Sequence, residues 1–230
     1  MMNFSFGICK GINSPFLKEI IYSIRQQNID NYEIIIVGEK HTEFGDDIIN
    51  IDFDESIKPG WITKKKNLIT KNAKYENIVY LHDYVYFKHD WYKGQILKGF
   101  DIKIRMDKIK NNNGDRFRDW CIWPHNDNVI DNIIGRSIMI PYDITHLSKH
   151  MYINGTYWIA NKKIMIEFPL NEDLVWGESE DVEWSKRVRG KYSFEMNDFS
   201  EVRLLKQHSN HDFSECNNDI IKILKEYEKN

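Results

Sequence analysis

Residues 176–184 read Trp-Gly-Glu-Ser-Glu-Asp-Val-Glu-Trp. Four carboxylates, Glu178, Glu180, Asp181 and Glu183, fall within six residues between Trp176 and Trp184, and a basic run, Lys186-Arg187-Val188-Arg189, follows. Carboxylates at a helix mouth suit proton abstraction from a weak nucleophile such as a hydroxyl, provided one of them faces a ligand. The same pattern also describes a solvated helix start, with Ser179 as N-cap and acids at the positive end of the helix dipole. Spacing alone favours this second reading, because capped acidic helix starts are common. Helical geometry separates the acids: Asp181, Trp184, Ser185 and Val188 fall at i, i+3, i+4 and i+7 on one face. Glu183 and Arg187 fall at i, i+4 in the order that favours a solvated ion pair. On spacing, Glu183 is structural, while Asp181 sits on the face that carries Trp184.

The elements that must position these groups alternate. Phe4–Cys9 reads as a strand, Ser14-Pro15 as N-cap and first helical residue of a helix to about Gln27, and Tyr32–Val37 as a strand. Ile48–Phe53 is a weaker strand, Ile62–Ala73 a Lys-rich helix after Gly60-Trp61, and Asn77–Leu81 a fourth strand running into His82-Asp83-Tyr84. This order predicts an α/β fold: an open, mostly parallel sheet with helices on both faces. Ligands of such sheets bind beyond the carboxyl ends of the strands. Cys9-Lys10-Gly11, Gly38-Glu39, Phe53-Asp54-Glu55 and His82-Asp83 are therefore expected to converge on one edge. Further on, Asp90–Leu97 reads as a short helix, Asp101–Ile109 as a strand, and Asn112-Asn113-Gly114-Asp115 as a turn. Residues 116–140 read as a long aromatic and polar loop with some helix, in which Trp120 and Trp123, with His125, Asn126 and Asp127 nearby, are either core residues or rings that stack on a ligand. Tyr152–Ala160 is a strand interrupted at Gly155, Asn161–Phe168 a short helix, Phe194 and Val202–Leu205 edge strands, and Asp219–Lys229 a docking helix.

Composition narrows the class. At 230 residues, with 41% apolar residues and 13% aromatics, the chain can bury a core and is not a disordered one. A net charge of −3 with both signs mixed excludes a basic nucleic-acid footprint; the nearest candidate, Lys103–Lys110, reads as an exposed strand edge. Cys9, Cys121 and Cys216 are odd in number and lack metal-ligand spacing, so reduced thiols in a cytoplasmic protein are expected. No apolar run reaches membrane-spanning length, and residues 1–6 lack the charged start and apolar run of a signal peptide.

Taken in order, the motifs resemble glycosyltransferases of the GT-A fold, near the large family-2-like group, over most of residues 3–210. Phe4–Cys9 is similar to the opening strand, and Glu33–Glu39 to the second strand, whose end faces the nucleobase. Gly60 followed by Lys66-Asn67 resembles the glycine and basic-Asn helix, and Tyr80–Val85 stands at the acidic metal motif. Asn154-Gly155-Thr156 stands at the acceptor loop, and Phe168-Pro169-Leu170-Asn171-Glu172 through Arg187 resembles the closing acidic region. The resemblance implies a GT-A (Rossmann-like) domain over 1–213, with a nucleotide-binding half to about residue 100, an acceptor-binding half after it, and a C-terminal helix in 214–230 packed on the domain. It implies transfer of a sugar from a nucleoside-diphosphate-sugar donor to a glycan, lipid-linked or protein hydroxyl, with inversion. Asp181 becomes the general base, with Glu180 beside it. Cys9, Lys10, Glu39, Lys66, His82, Asp83, Trp120, Asn154 and Gly155 become the donor-binding residues, and Asp83 with His208 or His211 the ligands of Mn²⁺ or Mg²⁺. One departure matters: Tyr84 stands where the acidic motif ends in its metal-binding aspartate. The site then uses Asp83 with water and phosphate oxygens, or works without a metal. A non-catalytic sugar-nucleotide-binding protein on the same fold is the alternative. A nucleotidyltransferase fits less well, since Lys10-Gly11-Ile12-Asn13 is too sparse for a phosphate loop.

Overall fold

The first strands are apolar at both odd and even positions, and the fold uses both sets. The computed structural model describes residues 2–39, 44–45, 47–122, 137–145, 151–209, 213–215 and 218–227. In chain order the elements are β1 Phe4–Cys9, α1 Leu17–Arg25, β2 Tyr32–Gly38, β3 Ile48–Asp52, α2 Ile62–Asn72, β4 Asn77–His82, β5 Val85–Phe87, α3 Trp91–Lys98 and β6 Ile104–Lys110. They continue with β7 Cys121–Ile122, β8 Ser137–Met139, β9 Met151–Tyr152, β10 Tyr157–Asn161, α4 Lys162–Glu167, α5 Glu180–Val188, β11 Phe194–Leu204, β12 Phe213–Glu215 and α6 Asn218–Tyr227. Eight strands form one sheet in the order β3-β2-β1-β4-β10-β6-β11-β5; β12-β8-β7-β9 form a second. Only β10 and β5 run against the other strands of the large sheet, so it is mostly parallel, as expected.

Alternation sends side chains to the two faces. Phe4, Phe6, Ile8, Ile34, Ile36, Val79 and Leu81 pack with Ile20, Ile21 and Ile24 of α1 and Trp91 of α3. Ile35, Val37, Ile78, Tyr80 and Trp158 pack on the other face with Ile69 of α2, Ile164 of α4 and Trp184 of α5. Ile220 and Ile221 of α6 dock on this second core. Parallel pairing puts Cys9 level with both Val37 and His82, and Gly38 level with Asp52, so the carboxyl ends of the first strands converge on one edge.

Several expectations are corrected. Lys103–Lys110 is not a sheet edge: β6 lies between β10 and β11, and Arg105 and Asp107 are buried and answered. Arg105 bonds Glu195 at 2.8 Å, Gln95 at 3.0 Å and the Gly99 carbonyl at 3.0 Å. Asp107 accepts from Trp91 Nε1 and Gln95 Nε2 at 2.8 Å, from Asn197 Nδ2 at 2.9 Å and from the Tyr157 hydroxyl. Phe194 and Val202–Leu205 are not separate edge strands; β11 is one strand with a register shift between Asn197 and Glu201, and β5 is the edge. The run 152–160 divides, with β9 in the small sheet and β10 in the large one. Neither Ser14 nor Ser179 caps its helix: α1 starts after Phe16, and Ser179 sits in the left-handed region at φ 59°. Asn161 does cap α4, accepting from Lys163 N at 2.9 Å.

Asp107 is surrounded by donors, which only a carboxylate can satisfy together. Burial raises its pKa, and the Tyr157, Gln95 and Trp91 hydrogen bonds oppose that rise. Asp107→Asn would turn an amide NH₂ toward these donors. The expected loss is about 3 kcal/mol of stability, read from urea unfolding.

Candidate active site

At the carboxyl edge of the parallel strands lies a cavity of about 320 Å³. Its floor is the loop after β1, with Cys9, Lys10 and Gly11, and the turn after β4, with His82, Asp83 and Tyr84. Glu55, Gly60, Ile62 and Lys65 line one side, Trp176 one rim, and Lys206 and His208, beyond β11, the other. Asp83 is fixed by the chain it faces: its Oδ2 accepts from Gly11 N at 2.7 Å and from the Ser14 hydroxyl. Lys65 donates to the Lys10 carbonyl at 2.6 Å and to Glu55. Lys10 Nζ lies 3.9 Å from Glu39, whose side chain is 71% exposed. Burial pushes the Cys9 thiol up to about 11, so it lines the floor as a neutral group.

A second cluster stands beside the cavity. Lys66 Nζ is fully buried, donates to the Gly155 carbonyl at 2.8 Å, lies 4.0 Å from Glu180 and 4.4 Å from the centre of the Trp158 ring. Asp181 accepts from Gly155 N and Val182 N, both at 2.8 Å. Burial raises the pKa of both Glu180 and Asp181; Lys66 opposes this in each, and the charge of Asp181 adds to it in Glu180. Two hydrogen bonds leave lone pairs on Asp181, so it can still accept a hydroxyl proton. The backbone joins the clusters, since His82 N donates to the Thr156 carbonyl at 3.1 Å.

Of the residues expected at the site, Cys9, Lys10, His82, Asp83 and His208 line the cavity, while Lys66, Gly155, Glu180 and Asp181 form the adjoining cluster. Glu39 stands beside Lys10 outside the lining. Asn154 holds its own loop, donating to the Arg118 carbonyl at 3.0 Å and accepting from Thr156 N at 2.9 Å. Trp120 is corrected: it is wholly buried and donates to the Ile144 carbonyl at 2.8 Å, so it has no ring face for a sugar. Trp123, His125, Asn126, Asp127, His211 and Cys216 lie outside the described residues. Trp176 is 66% exposed and lines the cavity, its backbone N–H bonded to the Gly60 carbonyl at 2.8 Å. Sequence reasoning missed Lys65 as a lining residue, and missed Ser14 and Lys206. The signals were there: α2 turns 100° per residue, so three successive lysines cannot share one environment.

The expected metal pair does not fit. A hard cation asks for several oxygen ligands. Asp83 already spends Oδ2 on Gly11 and Ser14, and the Tyr84 hydroxyl lies 3.2 Å from His82 Nδ1 in a buried contact. Among the described residues no three His, Cys, Asp or Glu side chains cluster as a metal site. The His208 ring packs 4.9 Å from Tyr84 and 5.3 Å from Phe117.

No protein-family model matches the chain, and no curated protein matches its sequence. Solved structures do match its fold. Staphylococcus aureus TarS 1–349 in complex with UDP-GlcNAc superposes with a TM-score of 0.58 at 16% identity, over 96% of this chain and 64% of that one. TarS 1–349 without ligand gives 0.58 at 16% identity, over 88% and 60%. GalNAc-T7 with UDP, GalNAc and Mn²⁺ gives 0.62 at 9% identity, over 97% and 48%. The chain therefore spans less than two thirds of each of these proteins. The likeness is one of fold, and it defines the class: this chain has the GT-A fold, as its sequence resemblance implied. No helix among the described residues is long and apolar enough to cross a membrane.

The cavity's histidines make stability pH-dependent. Burial, then the nearby Lys66 and Lys206, depress His82 far below its usual value; burial and Lys206 also lower His208. The unfolded chain then binds protons that the fold refuses, so stability falls as pH drops below the unfolded histidine value of about 6.5. Urea unfolding at stepped pH checks this, and His82→Gln is expected to flatten the slope between about pH 6.5 and 5.

Proposed function

We propose that the chain is a glycosyltransferase that moves a sugar from a nucleoside-diphosphate donor to an acceptor hydroxyl with inversion. The observation that carries this reading is the pairing of two features on a GT-A sheet. One is a strand-end cavity lined by lysines and a fixed carboxylate; the other is an adjoining carboxylate pair, Glu180 buried and Asp181 half-buried, joined to it through the backbone bond from His82 to Thr156. Neighbours of the same fold that bind UDP, UDP-GlcNAc or GalNAc support the donor class.

In this reading the nucleotide lies over the ends of β1 and β2, with the exposed Trp176 ring at the rim as a stacking surface. Lys10 and Lys65 line the cavity where the diphosphate charge grows as the glycosidic bond breaks. Asp181, oriented by Gly155 N and Val182 N, takes the acceptor proton while the acceptor oxygen bonds the anomeric carbon. The donor carbon–oxygen bond breaks on the opposite face, and the electron pair leaves with the nucleoside diphosphate. A base must be ionised to act, and burial holds Asp181 above the ordinary carboxylate range. The acid limb of kcat is therefore expected above about pH 4, the usual carboxylate value.

The test is transfer and donor hydrolysis by the purified chain over a panel of sugar nucleotides and hydroxyl acceptors. Asp181→Asn is expected to lower kcat by about 10³-fold or more while nucleotide affinity holds. Glu180→Gln is expected to cost less, because Glu180 faces Lys66. Full activity in Asp181→Asn would remove the base assignment. Tyr84 in the acidic motif favours the second reading, a non-catalytic sugar-nucleotide-binding protein; tight UDP binding without turnover on any donor would select it.

A further inference from the structure

The acidic motif ends in Tyr84, and the structure puts a different charge carrier beside it. Lys206 Nζ sits 3.8 Å from the centre of the Tyr84 ring and lines the cavity. Its position is built from both sides. Leu205 N donates to the Tyr84 carbonyl at 2.8 Å. Two residues beyond Lys206, His208 N donates to Asn111 Oδ1 at 3.0 Å and the His208 carbonyl accepts from Asn111 Nδ2 at 2.9 Å. The segment carrying Lys206 is thus clamped at its start and its end.

The charges divide clearly. Lys65 is engaged by Glu55 and Lys10 lies near Glu39, while Asp83 is engaged by Gly11 and Ser14. Lys206 has the Tyr84 ring beneath it and no hydrogen bond or ion pair to the described residues. An ammonium on a ring face keeps its N–H donors for another acceptor. A carboxylate at position 84 would recruit a cation from solution; a tyrosine ring there seats one supplied by the chain.

We propose that the Lys206 ammonium, seated on Tyr84, neutralises the donor diphosphate in place of a divalent cation, so that nucleotide binding by this chain is independent of metal. The proposal rests on the glycosyltransferase reading for its ligand class. It adds that Lys206 recognises the phosphates, alongside Lys10 and Lys65, which line the same cavity.

The experiment is calorimetric titration of the full chain with UDP, and with GDP, CDP and dTDP in parallel, in EDTA and then in Mn²⁺. The variants are Lys206→Met, Lys206→Arg and Tyr84→Phe. Wild-type affinity is expected to be equal with and without metal. Lys206→Met is expected to weaken diphosphate binding by about ten- to a hundredfold, the value of a lost charged hydrogen bond, and to leave the parent nucleoside unaffected. Lys206→Arg is expected to restore affinity, and Tyr84→Phe, which keeps the ring, to hold it. Binding that is lost in EDTA and restored by Mn²⁺, or unchanged in Lys206→Met, overturns the proposal and leaves the donor class standing. Failure of every nucleotide to bind in either buffer overturns both.

Discussion

A fully buried ammonium organises the carboxylate wall. Lys66 has no exposure, and an unpaired charge in an apolar interior is far too costly to persist. Its partners come from two other parts of the fold: the Gly155 carbonyl and Glu180, with the Trp158 ring face beneath. The lysine thereby ties α2 to the loop before β10 and to the first turn of α5. Gly155 is part of the same constraint. A Cβ there would stand 3.0 Å from Glu180 Oε1 and 3.2 Å from Asp181 Oδ2, so a side chain would press on the carboxylates that Lys66 holds. The absence of a side chain lets the backbone N–H reach Asp181 directly.

The opposite wall solves a different electrostatic problem. Asp83 is drawn back against Gly11 and Ser14, and His82, Tyr84 and the half-buried His208 form an aromatic group in which the ring centroids lie 5.4 and 4.9 Å from Tyr84. Burial pushes the Tyr84 hydroxyl up to about 12, so it stays neutral. Both walls end in lysines placed on ring faces, Lys66 on Trp158 and Lys206 on Tyr84. The first is sealed in and structural; the second is open to the cavity.

Much of this was legible in the chain. The alternation of β1, β2 and β4 on both parities announced a sheet covered on two faces, and the strand ends that it implied do converge. Glu183 and Arg187 form the expected i, i+4 pair at 2.6 Å. The errors share one cause. Lys103–Lys110 was read as an edge from its charge count although Arg105 and Asp107 are buried, and Trp120 was counted with the donor-binding residues although it is wholly buried. Ser14 was read as a cap, yet it serves Asp83, 69 residues away.

The sequence by itself determined the element types, the face each apolar residue takes and the order of the motifs, because these follow from local periodicity and short-range spacing. Only the tertiary structure decided which polar groups are solvated. The donors to Asp107 arrive from positions 91, 95, 157 and 197, and the partners of Lys66 from 155 and 180. A buried charge is tolerated only when distant segments bring it partners, and no window of neighbouring residues encodes that meeting. The run Trp176–Trp184 contains both outcomes: Glu183 is the surface ion pair its spacing announced, while Glu180 was buried and Asp181 half-buried once Lys66 and Gly155 were folded against them.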